Sequence, residues 1–258
     1  MLFKDKIVII AGYGPGLGHD MAVIAAKEGA KVAIGARSEA NLEAGAKEIF
    51  DAGGEVMWKR TDISNNDDCL ALVAAVVDRW GGVDALVNNA MAGNADMIEG
   101  VTMDVWRKVF DVNLFGTMQM AQACIAPMKA KGEGYIVNVS SMAHRKPLPP
   151  LAAYSASKAG MEGATRYLAK ELGTYGIRVN TARLGYIGVP TVDQTIVHWA
   201  AQQGKTLEEV EQSIASDISI GRIPPGPDCA RGVLMLASPW AAAISGAILD
   251  INGGDAMP

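Results

Sequence analysis

Short apolar runs alternate with helical patterns along the whole chain. The runs are continuous, as expected of strands buried on both faces of a sheet. Seven are predicted as strands: Ile7–Ala11, Lys31–Gly35, Val56–Arg60, Ala85–Asn88, Tyr135–Val139, Arg178–Ala182 and Ala247–Ile251. Helical spacing predicts helices at Leu17–Glu28, Glu39–Ala52, Asp67–Trp80, Met103–Lys131, Ala153–Tyr175 and Pro227–Ala237. Glycine at 29, 53 and 81 supports three of the helix ends.

This alternation predicts an α/β fold built from right-handed βαβ crossovers. We expect residues 1–258 to form a single domain, a Rossmann-type doubly wound parallel sheet of about seven strands with helices on both faces. Residues 185–227 interrupt this alternation of strands and helices with irregular helical sequence. Because ligands bind at the carboxyl ends of strands in such sheets, we expect this segment to cover a substrate. The alternative is that the segment is a surface loop that does not cover a substrate.

Composition narrows the function classes. Half of the residues are hydrophobic and the formal charge of −5 includes no block of like charge, so no nucleic-acid partner is expected. Three widely spaced cysteines favour neither disulfides nor a metal site, and they suit a reducing, cytoplasmic location. The longest weakly polar stretch, Gly232–Leu249, is interrupted by turn signals, so no membrane span is expected.

A glycine-rich turn follows the first predicted strand. Gly12, Gly16 and Gly18 are spaced G-x-x-x-G-x-G, with Leu17 between the last two. Small residues let the backbone approach a pyrophosphate, and the N–H groups at the start of the next helix face that anion. Such turns are common, so this motif alone indicates nucleotide binding only weakly.

A tyrosine and a lysine stand four residues apart in a predicted helix. This spacing places Tyr154 and Lys158 on one helix face, where an ammonium group can stabilise a phenolate whose ordinary pKa is about 10. Ser141 lies thirteen residues before Tyr154, close to the carboxyl end of a strand. The three side chains together indicate acid/base chemistry at the expected ligand edge.

Taken in order, these motifs resemble the short-chain dehydrogenase/reductase family. The resemblance covers nearly the whole chain and rests on the glycine turn, Asn88-Asn89-Ala90, Asn113, Ser141 and Tyr154-x-x-x-Lys158. It implies an NAD(P)(H)-dependent oxidoreductase that moves a hydride between nicotinamide and an alcohol or ketone, with no metal.

The resemblance also implies a role for each residue. Tyr154 would transfer the proton, Ser141 would hydrogen-bond the reacting oxygen, and Lys158 would hold the nicotinamide ribose and lower the pKa of Tyr154. Asn113 would hold a relay water. The coenzyme contacts implied are Asp62 and Ile63 at the adenine, Asn89 and Ala90 at the adenosine side, and Gly185 and Ile187 at the nicotinamide side.

Coenzyme choice is predicted from the end of the second strand. NAD-preferring relatives place an acidic residue where this chain has Ala36, and Arg37 and Ser38 follow. An arginine fork suits a 2′-phosphate, so NADP(H) is expected to be preferred, with NAD(H) as the other possibility.

Substrate contacts are predicted from apolar residues near the reacting end. Met91, Met142, His144, Leu184 and Tyr186 are candidates, with Leu148, Ile196 and Trp199 as further wall residues. They favour a bulky hydrophobic cyclic or aromatic substrate. For His144 a solvated loop position is the favoured interpretation. Met91, Leu184 and Val189 depart from the residues that the family usually carries, and the last two leave the nicotinamide-side contacts open.

Several alternatives share parts of this pattern. A Tyr–Lys spacing of four disfavours an enoyl reductase, and the chain lacks the C-terminal domain of sugar-nucleotide epimerases. A 3-oxoacyl-thioester reductase and a catalytically silent nucleotide-sensing protein stay open. The family commonly forms tetramers through its long helices, so a homotetramer is expected.

Overall fold

In the computed structural model, which describes residues 1–94 and 96–257, seven parallel strands form one sheet. The strands are β1 (Ile7–Ala11), β2 (Lys31–Ala36), β3 (Glu55–Arg60), β4 (Ala85–Asn88), β5 (Gly134–Ser141), β6 (Ile177–Leu184) and β7 (Ile248–Ile251). Their order is β3-β2-β1-β4-β5-β6-β7. The order reverses between β1 and β4, which is where a doubly wound sheet opens a ligand crevice. The predicted fold class is confirmed.

Helices lie between the strands and cover both faces of the sheet. They are α1 (Leu17–Lys27), α2 (Glu39–Asp51), α3 (Asn66–Trp80), α4 (Met103–Phe110), α5 (Thr117–Lys131), α6 (Ala152–Leu172), α7 (Pro190–Gln203), α8 (Leu207–Asp217) and α9 (Gly226–Leu236). The long helix predicted over Met103–Lys131 is interrupted: residues Asp111–Gly116 form a π-helical turn that joins α4 to α5. The prediction missed this turn because α4 and α5 each follow helical spacing and a single inserted residue leaves no break signal such as Gly-Pro between them.

Alternate side chains of the central strands enter two separate cores. Val8 and Ile10 pack in the core beneath α1, α2 and α9, whereas Ile7 and Ile9 pack in the core beneath α3, α5 and α6. Because both faces are buried, the strands read as continuous apolar runs in the sequence. The cores fix the strand ends that carry the candidate site.

The segment over residues 185–227 contains α7 and α8 and has a small apolar core of its own. Ile196, Ala200 and Val210 are buried there together. A parallel bridge between Gly188 and Pro225 joins the two ends of the segment. Thr191 and Val192, at the start of α7, line the crevice. Within the described residues, no helix combines the length and apolar character needed to cross a bilayer.

Candidate active site

The glycine-rich turn packs tightly against the end of β4. A Cβ on Gly12 would lie 2.1 Å from the Ala90 nitrogen, and one on Gly18 would lie 2.7 Å from the Gly12 carbonyl oxygen. Gly16 has φ 114°, a conformation that side chains rarely permit. The Asn89 side chain donates a hydrogen bond of 2.8 Å to the Gly12 carbonyl. Glycine is therefore required by space and by backbone conformation at these positions.

A cleft of ≈ 500 Å³ runs from this turn along the carboxyl ends of the strands. Most of the residues expected to bind coenzyme or substrate line it: Gly12, Leu17, Gly18, Arg37, Ser38, Asp62, Ile63, Asn89, Ala90, Met91, Ser141, Tyr154, Lys158, Leu184, Gly185 and Ile187. The cleft thus joins the glycine turn to the candidate acid/base group.

Five expected residues do not line this cleft. Gly16 lies at its margin as the residue before α1, and Asn113 is buried behind it. Met142 is fully buried, with its sulfur near Gly185, so it supports the wall from below. His144 and Tyr186 lie outside the lining, each with its own partners described below.

The apolar substrate wall is smaller than the sequence suggested. Met91 and Leu184 border the cleft, but Leu148 borders a second cavity and Ile196 belongs to the core of α7 and α8. Trp199 packs edge-on against Tyr186 with ring centroids 6.2 Å apart. None of the three further wall residues therefore borders the cleft.

Tyr154 and Lys158 project from the first turns of α6 toward the end of β5. The Lys158 ammonium is buried and donates a 2.7 Å hydrogen bond to the Val139 carbonyl. It lies 5.8 Å from the centre of the Tyr154 ring. The backbone N–H of Tyr154 donates to the Asn94 side chain over 3.3 Å, which fixes the start of the helix. Helix α6 thus holds the pair at the carboxyl end of β5.

Burial governs the protonation of this pair. It raises the pKa of Tyr154, and the Ser141 hydroxyl beside it only partly opposes that shift. Burial also lowers the pKa of Lys158 to about 8. The expected lowering of the tyrosine pKa by lysine is therefore not found in this structure, because the ammonium is directed at the Val139 carbonyl. Tyr154 therefore keeps its proton at neutral pH.

Asn113 lies in the π-helical turn and links three elements. Its side-chain nitrogen donates to the Ala92 carbonyl (2.8 Å) and to the Ser157 hydroxyl (2.9 Å), and its oxygen accepts from the Ala92 N–H (2.7 Å). The Ser157 hydroxyl in turn donates to the Tyr154 carbonyl over 2.7 Å. Asn113 thus connects the loop after β4 with the turn of α6 that carries Tyr154. π turns are frequent at functional sites.

Arg37 and Ser38 line the end of the cleft where β2 leads into α2. The Ser38 oxygen caps α2 by accepting a 3.4 Å hydrogen bond from the Asn41 N–H, which leaves its own proton free to donate. Burial would raise the pKa of Asp62, but hydrogen bonds from Ser64 and the charges of Arg37 and Arg60 lower it. Positive charge, a helix N-terminus and a hydroxyl donor therefore meet at this point.

Ala36 and Val189, which the sequence analysis placed near the coenzyme, also line the cleft. Some lining residues were not predicted: Tyr13, Gly14, Pro15, Val112, Val139, Ser140, Thr191 and Val192. Tyr13 and Pro15 lie inside the glycine motif, and Thr191 and Val192 begin α7, so position in a motif or covering segment was the available signal. Val112 is brought in only by the π turn. No cluster of metal-ligating side chains occurs in residues 1–94 and 96–257.

Comparison with known proteins agrees with this geometry. The sequence model described as short chain dehydrogenase matches residues 6–200. The chain is 32% identical over 252 residues to a putative ketoacyl reductase of Streptomyces coelicolor, covering 97% of each chain. It is 31% identical over 253 residues to cis-4-hydroxycyclohexanecarboxylate dehydrogenase of Sinomonas cyclohexanicum, covering 98% of this chain and 97% of the relative.

Two solved structures are similar to this chain over nearly its whole length. A variant of actinorhodin polyketide ketoreductase with NADPH has a TM-score of 0.90 at 32% identity, covering 96% of each chain. Levodione reductase has a TM-score of 0.90 at 31% identity, covering 98% of each chain. The protein is a Rossmann-fold oxidoreductase, and it belongs to the short-chain dehydrogenase/reductase family.

Proposed function

We propose that this protein is an NADP(H)-preferring ketone reductase and secondary-alcohol dehydrogenase, with residues 1–258 as one catalytic domain. The observation that carries the proposal is the meeting of Tyr154, Ser141 and Lys158 at one end of a cleft that begins at the glycine turn. The same arrangement disfavours a silent nucleotide sensor, because such a protein has no need of a tyrosine beside a buried lysine at the end of the cleft.

The cleft fits a dinucleotide along its length. Glycines pack the turn so closely that backbone, rather than side chains, faces the cleft, which suits a pyrophosphate. Arg37 and Ser38 suit a 2′-phosphate, because a guanidinium forms paired charged hydrogen bonds and no carboxylate at position 36 opposes them. Lys158, Ile187 and Gly185 would hold the nicotinamide half. When bound, the coenzyme supplies or accepts the hydride.

The protein's own groups move and place the proton. In reduction, the Tyr154 hydroxyl donates its proton to the carbonyl oxygen while the Ser141 hydroxyl hydrogen-bonds the same oxygen. The raised pKa of Tyr154 favours this direction, since the donor stays protonated at neutral pH. In oxidation, the Tyr154 phenolate would act as base, and its stabilisation by Lys158 would require the ammonium to turn from the Val139 carbonyl toward the phenol oxygen. Asn113 would position a relay water from its place behind Ser157.

A bulky hydrophobic ketone is the proposed substrate class. Met91 and Leu184 provide apolar surface beside the reacting groups, and the names of two relatives, levodione reductase and cis-4-hydroxycyclohexanecarboxylate dehydrogenase, suggest cyclic compounds. A 3-oxoacyl-thioester reductase is the second candidate. It is favoured by similarity to the 3-oxoacyl-[acyl-carrier-protein] reductase of Thermotoga maritima, 32% identical over 254 residues and covering 98% of this chain and 99% of the relative.

One matched panel tests the function. Purified protein is mixed with NADPH or NADH and with cyclic ketones, aromatic ketones, a 3-oxoacyl thioester or the oxidised form of a small polyol, and loss of nicotinamide absorbance is followed. We expect the highest catalytic efficiency with a cyclic ketone and NADPH. Highest efficiency with the thioester would select the second candidate, and highest efficiency with the polyol-derived ketone would refute the hydrophobic pocket.

The proposal includes a cytoplasmic homotetramer. Phe115 on the π turn and Tyr167 on α6 are 51% and 74% exposed, so the long helices carry apolar side chains that a second copy would cover. Light scattering of the purified protein measures its mass directly. A monomeric mass at micromolar concentration would contradict the assembly but not the chemistry.

A further inference from the structure

A buried carboxylate lies on α6, one helical turn beyond Lys158. Glu162 is 4% exposed, and both of its oxygens are engaged. One accepts from the Ser140 hydroxyl (2.8 Å) and from the Arg183 Nε (3.0 Å). The other accepts from the Arg183 Nη2 (2.8 Å) and faces the His144 Nε2 at 3.2 Å. A single side chain thus holds three others.

The network continues through the sheet. The remaining terminal nitrogen of Arg183 donates to both oxygens of Asp250, at 3.0 and 3.2 Å. Burial would raise the pKa of Glu162, but hydrogen bonds from His144, Arg183 and Ser140 outweigh it and hold the pKa at about 2. The carboxylate is therefore charged throughout the working pH range, and it joins α6 to β5, β6 and, through Arg183, β7.

Ser140 lines the cleft itself, Arg183 lies next to a residue of the cleft, and His144 lies three residues beyond Ser141. Ser140 directly precedes Ser141 at the end of β5, and Arg183 directly precedes Leu184 at the end of β6. His144 closes the short 3-10 turn that follows Ser141, and its other ring nitrogen has no partner in the described residues. The network therefore spans the elements that place the proton donor, the serine hydroxyl and the apolar wall.

Stability alone does not account for this arrangement. Buried ion pairs often contribute no more to stability than apolar residues of similar volume, since desolvation offsets their attraction. What a bidentate arginine–carboxylate pair adds is a fixed relative geometry. Small displacements of reacting groups reduce rates by as much as about 10²-fold. A device that fixes geometry is most useful beside the reacting groups, where this one lies.

We propose that Glu162 is a positioning residue for ketone reduction, acting through Ser140, Arg183 and His144 to hold Ser141 and the loop after it against Tyr154. This inference rests on the proposed function. Glu162 itself does not line the cleft. Its effect is on the relative placement of α6 and the ends of β5 and β6.

The main test is Glu162→Gln, with Asp84→Asn as the matched control. Asp84 is an equally buried, ion-paired carboxylate located at the opposite, amino end of the strands. We expect Glu162→Gln to lower kcat by ~10- to 100-fold, while NADPH affinity measured by fluorescence titration changes less than about twofold. Asp84→Asn should lower Tm without lowering kcat.

A second pair of variants tests the loop after Ser141, and it keeps the inference testable if Glu162→Gln does not fold. His144→Leu removes the contact with Glu162 from a partly exposed site, whereas His144→Gln keeps a donor there. We expect His144→Leu to raise the ketone KM by ~10-fold, a positioning loss that small displacements can cause, and His144→Gln to restore most of it.

The outcomes separate the two proposals. Wild-type kcat and KM in both Glu162→Gln and His144→Leu would overturn the positioning role, as would an equal kcat loss in Asp84→Asn. Absence of ketone reduction by the wild type, with Tyr154→Phe no different, would overturn the proposed function and this inference with it.

Discussion

The two ends of the central strands each bury one carboxylate, in different surroundings. At the amino end, Asp84 accepts from the Ile7 N–H (2.8 Å) and faces the ammonium groups of Lys6 (3.5 Å) and Lys131. At the carboxyl end, Glu162 is held by an arginine that projects from inside β6, together with Ser140 and His144. The burial and charge are alike, but the partners differ.

The difference lies in what the partners are attached to. Lysine side chains are flexible and half-exposed at the amino end, so they neutralise Asp84 without fixing any element in place. The arginine at the carboxyl end is a planar fork on a rigid strand, and its neighbours in sequence line the cleft. We therefore expect changes at the amino end to alter stability and changes at the carboxyl end to alter chemistry.

Tyr154→Phe should have the largest effect and should be confined to chemistry. Loss of the proton donor is expected to lower kcat by about 10²–10⁴-fold, with NADPH affinity and Tm nearly unchanged. Steady-state kinetics at saturating coenzyme, with titration of coenzyme binding, measures both. Lys158→Ala should damage turnover and coenzyme affinity together. Near-normal turnover by Tyr154→Phe would show that Tyr154 is not the proton donor.

Acid should destabilise the carboxyl end through Glu162. The pKa of this group lies at about 2 in the folded chain, against an ordinary value of 4.5. Its stabilisation is thus fully present above about pH 4.5 and is lost as the pH falls toward 2. Denaturant unfolding over this range should show about 3 kcal/mol more loss of unfolding free energy in the wild type than in Glu162→Gln. An equal loss of unfolding free energy in the wild type and in Glu162→Gln would contradict the low pKa assigned to Glu162.

Arg37→Ala should affect coenzyme choice and nothing else at the carboxyl end. A charged hydrogen bond of about 1.5–3 kcal/mol corresponds to a ten- to hundredfold loss of NADPH affinity. NADH affinity should stay the same, because NADH lacks the 2′-phosphate. The reverse change, Ala36→Asp, should shift the preference toward NADH. Equal wild-type efficiency with both coenzymes, or no NADPH penalty in Arg37→Ala, would refute NADP(H) preference.

Asp84→Asn should have the smallest effect, and only on stability. The amide keeps an oxygen for the Ile7 N–H but loses the attraction of two ammonium groups, so the free energy of unfolding should fall by about 1–3 kcal/mol. Urea denaturation gives this value, and a kcat assay with the best ketone gives the comparison. A loss of kcat in Asp84→Asn would contradict the expectation that changes at the amino end of the strands alter stability alone.

The sequence predicted a strand or helix well where a single hydrophobic periodicity runs through the whole element. β1 and β4 have the predicted bounds, and the predicted α1 and α3 agree within a residue or so, because buried strands and capped helices leave strong local patterns. Tyr154, Lys158 and Ser141 were proposed as candidates because their spacing lies within one helix and one strand end, so local signals sufficed for them. Asn113 was proposed only from the family resemblance.

Other features depended on contacts between distant residues. Glu162 and Arg183 are 21 residues apart in the sequence, and no local pattern predicted that they pair. His144 was expected on a solvated loop, yet its ring is only 11% exposed because Glu162 draws it inward. Met142 was expected at the substrate, but the close approach of Gly185 buries it. Such pairings form only when strands and helices come together.

The π turn at Asp111–Gly116 makes the length of this segment as important as its composition. A π turn holds one residue more than an α turn, so the faces of α4 and α5 are out of phase by about 100°. This offset lets α4 pack against α6 while α5 presents Met120, Cys124 and Met128 to the core. Deleting one residue here would straighten the helix. Either Asn113 would then leave Ser157, or α5 would turn its apolar face out of the core.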